Sequence, residues 1–253
     1  MDSKIAISGE LGSGKTVLSN KLASVLDMEI ISVGKIQRQL AEKYGMNALE
    51  FNKYMETHPE LDEECDRMVA MYGKEDRALI LDSRMAWHFV PDSFKVHLLA
   101  NSYIAAKRIF NDHIRKNEAY SHIEEARIKL VERKKSETLR FKQQYGVDID
   151  NFDNYDLVID TSCSLPEIVF DKVMECFALW KRKERFDHLL FSPPSLLPVQ
   201  TIRGYTSTEN ASETYPILVM KGVPNAYFVY DGQRQTDVSL LAPAEFISCE
   251  MYR

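Results

Sequence analysis

A glycine-rich loop near the N-terminus constrains the fold of this chain more than any other feature. Residues 9–16, GELGSGKT, fit the pattern G-x-x-x-x-G-K-[ST] at every fixed position. A short apolar stretch typical of a strand, residues 4–8, comes immediately before the loop, and apolar residues at helical spacing follow it. Strand, loop and helix in this order place backbone N–H groups and a helix N-terminus around a bound anion. The sequence therefore predicts a loop that binds the phosphates of a nucleotide.

Three residues near this loop carry the predicted phosphate chemistry. Lys15 is expected to reach the β- and γ-phosphate oxygens, and the hydroxyl of Thr16 is expected to bind Mg²⁺. Asp82 ends the apolar run ALILD, where a carboxylate at the carboxyl end of a buried strand would orient the water shell of the metal. The alternative for Asp82 is a strand-end carboxylate that caps the following turn.

Further short apolar stretches alternate with helical patterns along the chain. This alternation predicts an α/β fold, a parallel sheet covered by helices on both faces. Strands are expected at residues 29–32, 78–82, 94–99 and 156–160, and helices near residues 35–44, 48–56, 61–73, 102–116, 121–143 and 165–184. Two of these helices are expected to begin at capping boxes, Ser121 with Glu124 and Ser164 with Glu167.

The charge balance and the cysteines narrow the classes of protein. The chain has 253 residues, with 32 Lys and Arg against 38 Asp and Glu and a net charge of −6. An acidic chain is disfavoured as a nucleic-acid or membrane-surface binder.

The four cysteines lie too far apart for a metal clamp or a disulfide framework. No apolar run approaches the roughly 20 residues that span a bilayer. The N-terminus lacks the features of a signal peptide. We therefore expect a cytoplasmic protein with reduced thiols.

A basic segment stands out in this acidic chain. Residues 107–142 contain eleven Lys and Arg against six Asp and Glu. Beside a phosphate-binding loop, such a cluster favours a mobile lid that clamps an anion, because phosphoryl transfer depends mainly on positioning and positive charge. The alternative is a solvated helix face with ion pairs between successive turns.

The composition changes near residue 186. The following stretch is rich in Pro, Ser and Thr, and it is succeeded by strand-like runs at residues 216–220, 226–230 and 246–252 and a helix-like run at 233–242. We therefore expect an α/β domain over residues 1–186 and a small α+β C-terminal extension over residues 187–253.

The first part of the chain resembles the cytidylate kinases, especially their archaeal-type branch, over about residues 3–180. The resemblance rests on the runs ISGELGSGKT, ISVGKIQRQLAEKYGM, EFNKYMETHPELDEECDR, LDSRMAWHFVPDSFKVHLLA, and SETLRFKQQYGVDI followed by YDLVIDTS. It implies a P-loop nucleoside monophosphate kinase fold with a sheet core, a helical insert that binds the acceptor, and an arginine-bearing lid. It also implies Mg²⁺ and ATP, the latter as phosphoryl donor.

The resemblance assigns roles residue by residue. The implied ATP-binding residues are Gly9, Glu10, Leu11, Gly12, Ser13, Gly14, Lys15, Thr16 and Val17. Lys15, Arg84, Arg133 and Arg140 are the implied catalytic residues. Arg38, Arg84, Asp62 and Asp66 are the implied acceptor-binding residues, the two aspartates through the edge of a cytosine. Thr16 and Asp82 would bind the metal.

Three positions depart from the family pattern. Lys35 stands where an aspartate often follows Gly34, Ser83 replaces a glycine between Asp82 and Arg84, and Lys134 stands where an acidic residue often follows the lid arginine. None of these departures removes a predicted catalytic residue. They leave open which acceptor the protein uses.

The C-terminal extension is similar to ParB/sulfiredoxin-like domains in its strand pattern and in the run DGQRQ, residues 231–235. That similarity would give Arg234 a role in nucleotide binding. The favoured alternative is an appendage for docking or oligomerisation.

The leading hypothesis is Mg-ATP-dependent phosphorylation of a pyrimidine nucleoside monophosphate, CMP or dCMP. The alternatives are a P-loop kinase for another small acceptor, with Asp82 as a base, and a non-catalytic nucleotide-binding regulatory protein. All three bind small-molecule nucleotides, and the sequence does not indicate an oligomeric state.

Overall fold

A ten-stranded, mainly parallel sheet organises the molecule. The computed structural model describes residues 3–112, 120–198, 217–221, 227–231 and 245–251. The first five strands, in the order β2-β3-β1-β4-β5, are all parallel. They are β1 (Lys4–Gly9), β2 (Glu29–Ser32), β3 (Leu79–Asp82), β4 (Phe94–Leu99) and β5 (Leu157–Asp160). The predicted α/β fold and its five strands are confirmed.

Helices cover both faces of this parallel sheet. They are α1 (Lys15–Leu26), α2 (Val33–Lys43), α3 (Ala48–Met55), α4 (Pro59–Lys74), α5 (Ala86–Phe89), α6 (Ser102–Phe110), α7 (Ile123–Tyr145) and α8 (Pro166–Lys181). On one face, Ile5 and Ile7 of β1 pack with Leu22 of α1 and Val173 of α8. The opposite face packs against Val69 of α4. Burial on both faces explains why these strands are continuously apolar.

The carboxyl ends of the parallel strands meet at one edge of the sheet. The glycine loop follows β1 there, and Asp82 and Asp160 are the last residues of β3 and β5. Ligands of open α/β sheets bind in the crevice at this edge. The fold therefore brings the predicted phosphate loop and the predicted metal-binding aspartate to the same place.

The helix starts differ from the predicted capping boxes. His122, and not Ser121, caps α7 by accepting a hydrogen bond from the Glu125 backbone N–H, while the Ser121 hydroxyl donates to the Glu125 carboxylate. At α8, Pro166 is the first helical residue and Leu165 occupies the cap without a side-chain hydrogen bond. Proline suits the first helical position because its missing N–H is needed by no hydrogen bond there. Both capping-box predictions were wrong.

Strands from the last third of the chain extend the same sheet. β6 (Leu189–Phe191) pairs parallel to β5, and β10 (Ile247–Met251) pairs antiparallel to β6. The remaining strands are β7 (Leu196–Pro198), β8 (Ile217–Lys221) and β9 (Tyr227–Asp231). The three predicted strand-like runs are thus confirmed. The helix-like run at 233–242 and Arg234 lie outside the described residues.

One hydrophobic cluster joins these added strands to the rest of the molecule. Phe141 of α7 and Phe152 lie in the same cluster as Phe191 of β6, Val219 of β8 and Tyr227 of β9. The phenyl ring of Phe191 lies 4.8 Å, centroid to centroid, from the ring of Tyr227. The C-terminal strands therefore share a core with the end of α7. In the part of the chain that the structure describes, no helix has both the length and the apolar character needed to cross a membrane.

Candidate active site

The glycine loop adopts a backbone that only glycine can follow at two positions. Gly9 has φ 137°, and a Cβ there would lie 2.3 Å from the carbonyl oxygen of Leu98 on β4. Gly12 has φ 75°, and a Cβ there would lie 2.7 Å from the carbonyl oxygen of Ala105 on α6. Side chains at either position would force the surrounding backbone apart. The loop is therefore held tightly between β4 and α6.

Lys15, the first residue of α1, folds back over the loop. Its Nζ donates hydrogen bonds to the carbonyl oxygens of Gly9 and Glu10, both at 2.9 Å. Burial, reinforced by the nearby charge of Arg84, lowers the pKa of Lys15 to about 7, although Asp82 opposes this shift. Burial makes the charged form of a lysine unfavourable. Phosphate oxygens on this loop would add negative charge beside Lys15 and favour its ammonium form.

The side chains of the loop divide into buried and exposed groups. Ser13 is buried, and its hydroxyl donates to the Glu10 carbonyl oxygen at 2.7 Å. The Glu10 carboxylate is also buried and forms an ion pair with Lys134 of α7. Thr16 and Val17 are exposed on the first turn of α1. The hydroxyl of Thr16 is thus accessible beside the loop, as a metal ligand must be.

Thr16 and Asp82, the predicted metal ligands, carry oxygen donors of the kind that magnesium binds together with phosphates. The Asp82 carboxylate accepts a hydrogen bond from the Ser32 hydroxyl at 2.9 Å and lies close enough to Lys15 to affect its pKa. No group of three or more His, Cys, Asp or Glu residues suited to a metal occurs among the described residues. Mg²⁺ usually takes one or two protein oxygens and completes its shell with water and substrate phosphate. Thr16 and Asp82 suit that coordination.

Glu137 joins two of the predicted catalytic arginines. One carboxylate oxygen lies 3.0 Å from Nε of Arg84, and the other lies 3.0 Å from Nε of Arg133. Burial alone would raise the pKa of Glu137, but the guanidinium groups of Arg84, Arg133 and Arg140 outweigh it and lower the pKa to about 2. Glu137 therefore stays ionised and fixes the orientation of both arginines.

Sequence reasoning missed Glu137, although a signal was present. Its spacing from Arg133 is four residues, which places both side chains on one face of α7. A carboxylate between arginines on such a face is equally typical of a surface ion pair, so the pattern alone does not mark a buried residue.

Arg140 affects the pKa of Glu137 but forms its own ion pair with a different carboxylate. It is buried, with Nε 2.8 Å from the Asp62 carboxylate and Nη1 3.1 Å from the Asn52 side-chain oxygen. The structure thus pairs a predicted catalytic residue with a predicted acceptor-binding residue. α7 is linked in this way to α3 and α4, the helices of the predicted acceptor insert.

Asp66, one turn beyond Asp62 on α4, is the second buried carboxylate of this insert. It accepts a hydrogen bond from the Tyr145 hydroxyl at 2.8 Å. Burial, with a smaller contribution from Asp62, raises the pKa of Asp66 to about 7, while that hydrogen bond opposes the shift. A carboxyl group with this pKa can act as donor or acceptor near neutral pH.

Two further arginines, Arg38 and Arg108, lie on α2 and α6. Arg38 is exposed on α2, with its guanidinium near Gly34. Arg108 of α6 donates to the carbonyl oxygen of Thr161 at 2.6 Å and to that of Gly12 at 3.3 Å. Arg108 therefore ties the loop after β5 to the glycine loop.

A family model decides the relationship of this chain to known proteins. The model of the cytidylate kinase-like family matches residues 4–163. The chain belongs to this family. The match runs from β1 to just past β5 and includes every residue to which the cytidylate kinase resemblance assigns a role.

Individual relatives agree with the family match. A cytidylate kinase of Pyrococcus horikoshii is 38% identical over 166 residues, which make up 66% of this chain and 83% of the relative. A cytidylate kinase of Thermoplasma volcanium is 34% identical over 185 residues, 72% of this chain and 94% of the relative. An S-adenosylmethionine-dependent nucleotide dehydratase of Lacinutrix mariniflava is 34% identical over 180 residues, but this chain spans only 36% of its length.

Solved structures support the fold. An uncharacterized protein from Eubacterium ventriosum has a TM-score of 0.53 and 14% identity, covering 69% of this chain and 97% of its own. That likeness shows a common fold and carries no information on activity.

Proposed function

We propose that this protein is a Mg-ATP-dependent kinase of a pyrimidine nucleoside monophosphate, CMP or dCMP. The observation that carries the proposal is the convergence of Lys15, Arg84 and Arg133 at one edge of the sheet, with Glu137 holding the two arginines in place. The membership of the cytidylate kinase-like family supports the choice of acceptor. Curated relatives named cytidylate kinase also support it.

The glycine loop would bind the triphosphate tail of ATP. The backbone N–H groups and the N-terminus of α1 face the β- and γ-phosphates, and Lys15 turns from its two carbonyl partners to the phosphate oxygens. A magnesium ion held by Thr16 and Asp82 would neutralise charge on these oxygens. Because Lys15 already lies on the loop, little rearrangement is needed to bind the donor.

The acceptor phosphate would lie between Arg38, Arg84 and the lid helix α7. An oxygen of this phosphate attacks the γ-phosphorus, and the bond from that phosphorus to the β–γ bridging oxygen breaks, which releases ADP. No general base is required, because the attacking oxygen is already anionic near neutral pH. Arg84 and Arg133 stabilise the charge on the transferring group. Asp62 and Asp66 lie in the insert where a cytosine edge would bind.

A coupled ADP-release assay with Mg-ATP tests this proposal. CMP, dCMP, UMP, AMP, dTMP and GMP serve as acceptors, and we expect turnover to be fastest with CMP or dCMP. Lys15→Met should lower turnover by several orders of magnitude, because it removes the positive charge that stabilises the transferring phosphoryl group. Lys21→Met is the matched control, since Lys21 lies on the same helix and pairs with Glu167. Equal rates in the two variants would contradict the mechanism.

A further inference from the structure

A row of four alternating charges connects the C-terminal strands to the glycine loop. Lys134 of α7 forms an ion pair with Glu10 of the loop and a second one, at 3.0 Å, with Oδ1 of Asp150. Lys221, at the end of β8, binds the other oxygen of Asp150 at 3.1 Å. The row therefore runs from the extension, through the segment after α7, to the loop that would bind ATP.

The burial of these side chains increases toward the loop. The side chain of Lys221 is 29% exposed, that of Asp150 is 24%, that of Lys134 is 19% and that of Glu10 is 7%. Charges in partly buried positions are screened less by water and salt than charges at a surface. Removing the charge of Lys221 therefore changes the electrostatic potential at the glycine loop more than removing the charge of an exposed lysine would.

The charges in the row balance. Within the row, two carboxylates and two ammonium groups sum to zero, whereas Glu10, Lys134 and Asp150 alone sum to −1. Lys15 also lies close enough to Glu10 for their charges to interact, but Lys15 is the lysine that would bind the triphosphate. Glu10 belongs to the loop that would hold this triphosphate, so added negative charge there would repel the phosphates of ATP. Lys221 supplies the charge that completes the balance.

The position of Lys221 is fixed by packing. Ile217, Val219 and Lys221 lie two positions apart along β8, so their side chains lie on the same face of the strand. Ile217 and Val219 are buried in the cluster that contains Phe141 of α7 and Ile149, the residue before Asp150. The core shared by the extension and α7 therefore holds Lys221 against Asp150.

We propose that the C-terminal extension tunes the phosphate loop, with Lys221 and Asp150 as positioning residues that hold Lys134 against Glu10 and cancel the negative charge beside the ATP phosphates. Lys134 is one of the departures from the family pattern, and Lys221 lies beyond the matched region. This inference rests on the proposed function only in taking ATP as the ligand of the loop.

The test compares Lys221→Met with wild type in the full-length chain. We expect the dissociation constant for Mg-ATP, measured by isothermal titration calorimetry, to rise about threefold to tenfold. The KM for ATP should rise by a similar factor, with little change in kcat or in the KM for CMP. Lys221→Arg should restore tight binding. The difference between Lys221→Met and wild type should shrink in high salt, because the effect is electrostatic.

Two controls separate this role from a structural one. Lys172→Met removes a lysine whose ion pair is with Glu175 on its own helix, and it should leave ATP binding unchanged. In an Asp150→Asn background, the Lys221→Met change should have a much smaller effect, because the carboxylate it balances is already absent.

Several results would overturn the inference. One is an unchanged ATP dissociation constant in Lys221→Met, and another is an equal loss in Lys172→Met. If Lys221→Arg also lost affinity for ATP, the ion pair of Lys221 with Asp150 would contribute to packing and not to ATP binding through its charge. Because ATP binding is measured without an acceptor, the test keeps its meaning if the protein phosphorylates no monophosphate.

Discussion

Glu137→Gln tests the electrostatic design of the candidate site. Glutamine keeps the size of the side chain and removes the charge that Arg84 and Arg133 share. A pKa of about 2 in place of the usual 4.5 corresponds to about 3 kcal/mol of stabilisation by the ionised carboxylate. We therefore expect Glu137→Gln to lower the free energy of unfolding at pH 7 by about that amount.

The pH dependence of this loss follows from the sign of the shift. Because the folded-state pKa is lowered, the contribution of Glu137 is fully present above the unfolded-state pKa of 4.5 and disappears as the pH falls toward 2. The difference between wild type and Glu137→Gln should narrow from about 3 kcal/mol at pH 7 to about half that amount at pH 3. Urea denaturation monitored by circular dichroism across this range measures both values.

A matched control uses another glutamate of the same helix. Glu132 is exposed and pairs with Lys129, so Glu132→Gln should change the free energy of unfolding by less than about 0.5 kcal/mol. A Glu137→Gln variant as mild as Glu132→Gln, or an effect that stayed the same between pH 7 and pH 3, would show that the three arginines do not stabilise the Glu137 carboxylate.

Three further predictions follow from the geometry of the loop and the shared core. Gly9→Ala should abolish ATP binding in a calorimetric titration, because its Cβ would meet the Leu98 carbonyl oxygen. Gly45→Ala is the control, since Gly45 also has a positive φ (68°) but a Cβ there would meet no neighbouring atom, and this variant should bind ATP normally. When ATP binds at pH 8, Lys15 should take up close to one proton, because the phosphates raise its pKa from about 7. Calorimetry in buffers of different ionisation enthalpy measures this uptake, and equal binding enthalpies in these buffers would contradict it. Truncation after Arg185 should lower the melting temperature sharply and should expose the hydrophobic cluster around Phe141, so that the truncated chain binds a hydrophobic dye. A truncated chain with the melting temperature of the full-length chain would disprove the shared core.

The sequence predicted the sheet and the loop well because their signals are local. Continuous apolar strands and the spacing of Gly9, Gly12 and Gly14 each reflect a requirement of the backbone at that point. Three strands of the C-terminal extension, β8, β9 and β10, were also predictable from their strand-like runs. β6 and β7 lie in the stretch rich in Pro, Ser and Thr and were not predicted. The division of the chain at residue 186 stays a prediction, and the pairing of β6 with β5 places both sides of that boundary in one sheet.

The contacts that organise the site were beyond the reach of the sequence because they join distant segments. Glu137 meets Arg84 across more than fifty positions, and Arg140 meets Asp62 across 78. Arg133, Arg140 and Lys134 all belong to one basic stretch, but the fold directs them to a buried glutamate, an aspartate of the insert and the glycine loop respectively. Charge patterns along a helix show that partners exist without showing which partners they are.

Transfer of labelled phosphate is the most direct test of the proposed reaction. The protein is incubated with ATP labelled in its γ-phosphate, Mg²⁺ and CMP, and the products are separated by chromatography. We expect the label to appear in the β-phosphate of CDP, and we expect Lys15→Met to produce almost no labelled CDP. Label recovered only as inorganic phosphate, or left in ATP for CMP and for every other monophosphate tested, would contradict the proposed reaction.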